Sequence, residues 1–173
     1  MNDMLRIYAY RLNKVIALIS DEYCRKLVEK TLKDTKLYIR LISAPHALTG
    51  NFNCICGLFA HMVLTLEEAT ATTLPCNIDL SILLTSIIMK EIGISLCFSG
   101  DGFQFRTTKK GKGIGTTNLS KQVLTEKASS ITGFPDELKM KLTAIISNDF
   151  GNTHSPATQL ISSLTTAVDK LHP

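Results

Sequence analysis

Between Asp79 and Met89 the chain is apolar almost all the way round: Leu80, Ile82, Leu83, Leu84, Ile87, Ile88 and Met89 leave no polar stripe. A helix of that kind must be enclosed by others, so the run predicts a buried central helix with the remaining elements packed around it. Its β-branched content would also suit a strand, but its length favours a helix. Gly93 is the expected stop. The run falls short of the roughly 18 residues that span a bilayer, so no transmembrane segment is expected.

The flanking sequence supplies amphipathic partners. Leu5, Tyr8, Leu12, Val15, Ile16 and Ile19 recur at helical spacing, and Ser20-Asp21-Glu22 reads as a break and a cap. Leu27, Leu32, Leu37 and Leu41 continue the pattern on two shorter helices that meet near Asp34. Ala44-Pro45 closes this section, because a residue before proline leaves the α region. Residues 46 to 54 are polar and irregular, and a long helix is expected from Ile55 to Thr73, ended by Leu74-Pro75. Leu96-Cys97-Phe98 and Phe103-Gln104-Phe105 alternate around Ser99-Gly100-Asp101-Gly102, which predicts a β-hairpin. A basic, flexible loop with Lys109, Lys110 and Lys112 follows, then three helices near 118–131, 136–148 and 157–171. Phe134-Pro135-Asp136 marks the start of the second of these. The expectation is an all-α bundle with a small inserted β-hairpin. It forms one domain over 1–173: N-terminal helices in 1–45, a core section in 46–93, hairpin and basic loop in 94–116, and C-terminal helices in 117–173.

At 45% hydrophobic residues the chain can bury a core and is not disordered. A net charge of +4 permits an anionic partner without demanding one. The N-terminus has no basic-then-apolar pattern, and the five cysteines are widely spaced, so reduced thiols in a cytoplasmic protein are expected. Cys54-Ile55-Cys56 lacks a second pair at zinc-site spacing and is read as small packing residues.

Taken in order, these segments resemble the HD-domain metal-dependent phosphohydrolases, in particular the HD half of bacterial exoribonucleases that couple an OB-fold to an HD domain. The resemblance covers almost the whole chain. Ala44-Pro45 stands where that family has "AP", and Cys56-Gly57-Leu58-Phe59-Ala60-His61 falls on its "GGLLEH". Its "LLHDIGK" falls on Ile87 to Ile94, its "EGKLLGH" on Lys110 to Thr116, its "GFPEEL" on Gly133 to Leu138, its "SHHG" on Ser147 to Gly151 and its "ADNLDAK" on the segment around Thr165 to Lys170. The resemblance implies an HD-like helical bundle. It also implies a site where histidines and carboxylates from separate helices hold divalent cations that polarise a phosphoryl group.

The scaffold residues match better than the ligands. His61 keeps the first ligand position, but the central His-Asp is Lys90-Glu91. The last-helix aspartate falls on Thr166, or on Asp169 in a shifted register, and the accessory histidines are Asn51-Phe52, Thr116 and Asn148-Asp149. An ammonium cannot ligate a cation. The first functional expectation is therefore a catalytically inactive relative that binds nucleic acid, a nucleotide or a partner protein. It needs no cofactor and no metal, and His61 in it is an ordinary core histidine. Lys90, Lys109, Lys110 and Lys112 are its candidate ligand-binding residues. The alternative is an active phosphohydrolase or nuclease with an altered Mn or Mg site built from His61, Glu91, Asp149 and Asp169. Lys90 is expected to be partly buried and to pair with Glu91 or Asp149 across the vacated metal position.

Overall fold

The structure, a computed structural model, describes residues 3–100, 104–147 and 155–171. Nine helices and one two-stranded sheet are formed by the described residues, in the order α1 (Asp3–Ile16), α2 (Glu22–Leu32), α3 (Thr35–Ser43), α4 (Gly57–Ala71), α5 (Leu80–Cys97), β1 (Phe98–Gly100), β2 (Phe105–Thr107), α6 (Lys109–Ile114), α7 (Thr116–Ser129), α8 (Asp136–Ser147) and α9 (Pro156–Leu171). The expected all-α architecture with a small inserted hairpin is the architecture found.

The apolar run forms the axis of the molecule. α5 packs against α2, α3, α4, α7, α8 and α9, and Leu83, Leu84, Ile88, Met89 and Ile92 on it are fully buried. Each such side chain contributes roughly 1.5–3 kcal/mol through its removal from water. The helix reaches 18 residues, longer than expected, and its mean hydropathy of 1.7 would suffice for a membrane span. Yet 72% of it is buried inside this fold, so its apolar surroundings are the chain's own helices.

Local signals set most boundaries. Asp21 caps α2 by accepting from the Cys24 amide at 2.7 Å. Asp79 caps α5 through the Ile82 amide at 3.0 Å. The Ser81 hydroxyl accepts from the backbone amides of Ser20 and Asp21, at 3.0 and 3.2 Å, and so ties the turn between α1 and α2 to the start of α5.

Two expectations are corrected. Gly93 does not end α5. It lies inside the helix, where its missing side chain lets α7 approach: an added Cβ would stand 2.6 Å from the Thr116 carbonyl oxygen. Because α5 runs on through Cys97, the strands are displaced by two residues and pair as Phe98–Thr107, Ser99–Arg106 and Gly100–Phe105. The basic segment is also not a loop. Thr108 caps α6 by accepting from the Gly111 amide at 2.9 Å, and Gly111 sits against the backbone of Cys97. The short helix carrying Lys109, Lys110 and Lys112 is thereby docked on the end of α5, with the three lysines exposed.

Asp34 joins two distant parts of the fold. It caps α3 through the amides of Lys36 and Leu37 at 3.0 and 3.2 Å. It also accepts from the Lys127 ammonium on α7 at 2.7 Å. The Lys127 bond, with the amides, holds the Asp34 carboxyl below its usual range. A depressed folded-state pKa gives stability that is present above the unfolded value, near 3.9, and is lost as pH falls through the folded value. Asp34→Asn, which keeps the cap and removes the charge, is expected to be about 1 kcal/mol less stable than wild type at pH 7. The two should converge in parallel thermal melts as the pH is lowered through the folded-state value of Asp34. A gap that persists at low pH would rule the carboxylate out as its source.

Candidate metal centre

Four polar side chains meet where the segment after α3, the start of α4, the middle of α5 and the end of α9 come together. His46 lies just past Ala44-Pro45. Its backbone amide donates to the Phe52 carbonyl at 3.0 Å, which folds the 46–56 segment back on itself. His61 is one turn into α4 and fully buried. Glu91, on the neighbouring α5, is 3% exposed. Asp169 stands in the last turn of α9, with its side chain half exposed. The Asn51 amide donates to the Asp169 backbone carbonyl at 3.2 Å and ties the 46–56 segment to α9.

The two imidazoles are stacked, with ring centroids 3.5 Å apart and planes 20° from parallel. Glu91 spans them: Oε1 lies 3.4 Å from His61 Nδ1 and Oε2 lies 3.5 Å from His46 Nδ1. On its other side, His61 Nε2 is 3.8 Å from Asp169 Oδ1. The Phe52 ring closes the cluster edge-on, 5.2 Å from His61 and 6.4 Å from His46.

These contacts are longer than the usual N–H···O distance of about 2.9 Å. Both ring nitrogens of His61, His46 Nδ1 and Glu91 Oε2 are accordingly buried without a hydrogen bond. Burying polar groups in that state is unfavourable, so such atoms mark a place shaped for something further. Burial works against ionisation of Glu91, but the two histidines outweigh it and bring its pKa down to about 2. Burial likewise disfavours protonated His46, and the Glu91 carboxylate reverses this and raises the histidine. The cluster thus holds an anionic charge beside nitrogen donors.

One atom each from His46, His61 and Asp169 can be chosen so that all lie within 4.8 Å of one another. Contraction of under about 1 Å per donor would bring them to the 2.0–2.2 Å typical of metal–nitrogen and metal–oxygen bonds. Two imidazoles and a carboxylate are the donor types that borderline divalent cations take. The residues fit a single metal ion.

Several site expectations are settled by these positions. His61, Glu91 and Asp169 are brought together. His61 is not an ordinary satisfied core histidine: neither ring nitrogen makes a hydrogen bond, and their polar neighbours, Glu91 and Asp169, stand at 3.4 and 3.8 Å. Thr166 is exposed and its hydroxyl donates back to the Ser162 carbonyl at 2.9 Å, so the shifted register with Asp169 is the one that reaches the cluster. Lys90 is half-buried as expected, but it does not pair with Glu91, whose oxygens face the two histidines instead. Among the described residues no carboxylate comes within ion-pair distance of its ammonium. Asp149, the other expected partner, lies outside the described residues. Lys109, Lys110 and Lys112 are on α6, docked against Cys97, about 9 Å along α5 from Glu91 at 1.5 Å per residue.

The sequence pattern assigns His46 no role, because it lies in the irregular stretch 46–54. A signal was available, because the chain has only 4 histidines. This one directly follows the Ala44-Pro45 corner and precedes the segment that the resemblance assigns to accessory ligands. No family model, no curated protein and no solved structure matches the chain.

Proposed function

We propose that the chain is an HD-like metal-dependent phosphohydrolase domain with a rearranged ligand set, in which His46, His61 and Asp169 hold one divalent cation. The observation that carries this reading is the convergence of three donors, from α4, α9 and the segment after α3, around buried ring nitrogens that make no hydrogen bond. The order of scaffold motifs along the chain supports it. A cation held by three protein ligands keeps open positions, where it would polarise a phosphoryl oxygen and make bound water more acidic.

The chain's own residues shape what can reach that place. Phe52 and the body of α4 and α5 keep water from the inner side of the rings. Asp169, half exposed, faces solvent, so a substrate phosphate would approach from the end of α9. Lys90, one residue from Glu91 and unpaired among the described residues, supplies positive charge on the same helix turn.

A second reading, a binding module without catalysis, is favoured by one observation: Lys90 stands where the family has a histidine ligand. One experiment separates the two. The purified chain is loaded with Mn²⁺, dialysed and analysed for metal, then assayed on a bis-aryl phosphodiester. The expected result is about one metal per chain, with hydrolysis that His61→Ala lowers on the order of 100-fold along with metal retention. Metal retention without hydrolysis would favour the binding module. A wild-type chain that retains no divalent metal would overturn the proposal.

A further inference from the structure

Glu91 occupies the position where the resemblance places a metal-ligating carboxylate, yet its geometry is that of a group behind the ligands. Both of its oxygens face the imidazoles, one 3.4 Å from His61 Nδ1 and the other 3.5 Å from His46 Nδ1. The group of donors that can share one cation comprises His46, His61 and Asp169 and leaves Glu91 out. The rings are stacked 20° from parallel, so a single carboxylate that reaches both Nδ1 atoms orients both rings alike. His61 Nε2 then points toward Asp169, 3.8 Å away. An imidazole that donates its Nδ1–H to a carboxylate keeps the lone pair on Nε2, which is the form a metal takes.

Resting on the metal-binding reading, we infer that Glu91 is a positioning residue and not a ligand: one buried carboxylate holds His46 and His61 in the Nδ1–H tautomer and presents both Nε2 atoms to a single transition-metal ion. The chemistry of the set makes that ion a borderline one. Two imidazole nitrogens suit Zn²⁺, Co²⁺, Fe²⁺ or Mn²⁺, whereas Mg²⁺ and Ca²⁺ prefer sites made of oxygen. His46 is what makes the arrangement work. It supplies from outside the helices the second imidazole that Lys90 cannot, and Glu91 reaches it with the oxygen left over from His61.

Co²⁺ is the probe for the test, because its visible absorption reports the number and type of ligands. The full chain is titrated with Co²⁺, with Zn²⁺ in competition and with Mg²⁺ as the contrast, and Glu91→Gln is titrated in the same way. Gln can still accept one Nδ1–H but not both. The expected result is a Co²⁺ spectrum of unchanged shape in Glu91→Gln with an affinity 10–100-fold lower, and no displacement of Co²⁺ by millimolar Mg²⁺. A changed ligand-field spectrum in the variant would show that Glu91 ligates, and would overturn the inference while leaving the metal-binding reading intact. Failure of the wild type to take Co²⁺ or Zn²⁺ would overturn both. Binding without hydrolysis would leave this inference standing and sink only the phosphohydrolase.

Since Glu91 is buried, its variant can fail to fold, and a measurement on the wild type decides the matter independently. Imidazole ¹⁵N–¹H correlation spectra of the Zn²⁺-loaded chain should show both His46 and His61 bound through Nε2 with a proton on Nδ1. A ring bound through Nδ1 would overturn the inference.

Discussion

Gly57→Ala is expected to lower stability by about 2–3 kcal/mol, and the melting temperature by about 5–10 °C for a domain of this size. A Cβ at Gly57 would stand 2.1 Å from the Phe52 carbonyl oxygen and 2.8 Å from the carbonyl carbon. Both are backbone atoms, which cannot swing aside as a side chain would. The same Phe52 oxygen accepts the His46 amide, and the Phe52 ring rests against both histidines. The displaced segment would carry His46 with it. Metal affinity is therefore expected to fall tenfold or more, although Gly57 itself touches no ligand. Gly113→Ala is the control: nothing lies within 4 Å of its added Cβ, so its melting temperature should be unchanged or slightly raised. Thermal melts and metal titrations of the two variants check this, and equal behaviour would refute the account of Gly57.

Gly93→Ala is expected to cost about 3 kcal/mol for a different reason. Here the added Cβ would lie 1.9 Å from Ser120 Oγ and 2.6 Å from the Thr116 oxygen. Ser120 cannot readily turn away, because its single hydroxyl proton is shared between the carbonyls of Lys90 and Thr116, at 3.2 and 3.1 Å. α7, which carries the fully buried Leu124, must move off α5. The double variant Gly93→Ala/Ser120→Ala removes the hydroxyl clash but not the backbone one, so less than half of the loss should return. Full recovery in denaturant unfolding would mean that only the hydroxyl was in the way. Neighbouring changes of this kind do not add, and the shortfall measures the backbone contact.

Much of the helical framework was legible because its signals are local. Asp21, Asp34 and Asp79 announce helix starts with their own side chains. The unbroken apolar surface from Leu80 to Met89 leaves that helix nowhere to lie but the centre. What could not be read depends on partners distant in the chain. Gly93 looks like a stop in isolation and becomes an interior residue only because α7 needs the space. Lys109 to Gly115 looks like a flexible loop until Thr108 caps it and Cys97 receives Gly111. The site divides in the same way. His61, Glu91 and Asp169 could be aligned by motif, with the register on α9 undecided between Thr166 and Asp169. His46 belongs to no motif. It reaches the cluster because the Phe52 carbonyl turns its segment inward. The Lys90–Glu91 pairing failed for a related reason: adjacency in sequence places two helical side chains on different faces, whereas Glu91 shares its face with two imidazoles from other elements.

The bond from Asn51 to Asp169 bridges 118 positions of the chain. The candidate donors span nearly the same interval, from His46 to Asp169. Such a centre is complete only after α9 has docked, and long-range closure of that kind is entropically slow. An ion seated there would join the first third of the molecule to its last helix, like a clasp across an open collar. The benefit would be concentrated in the detachment of α9, the local opening that an ion-free chain would be expected to undergo most readily. Amide-hydrogen exchange in the final helix would then slow on metal loading far more than exchange in α5, which the core holds in place without an ion.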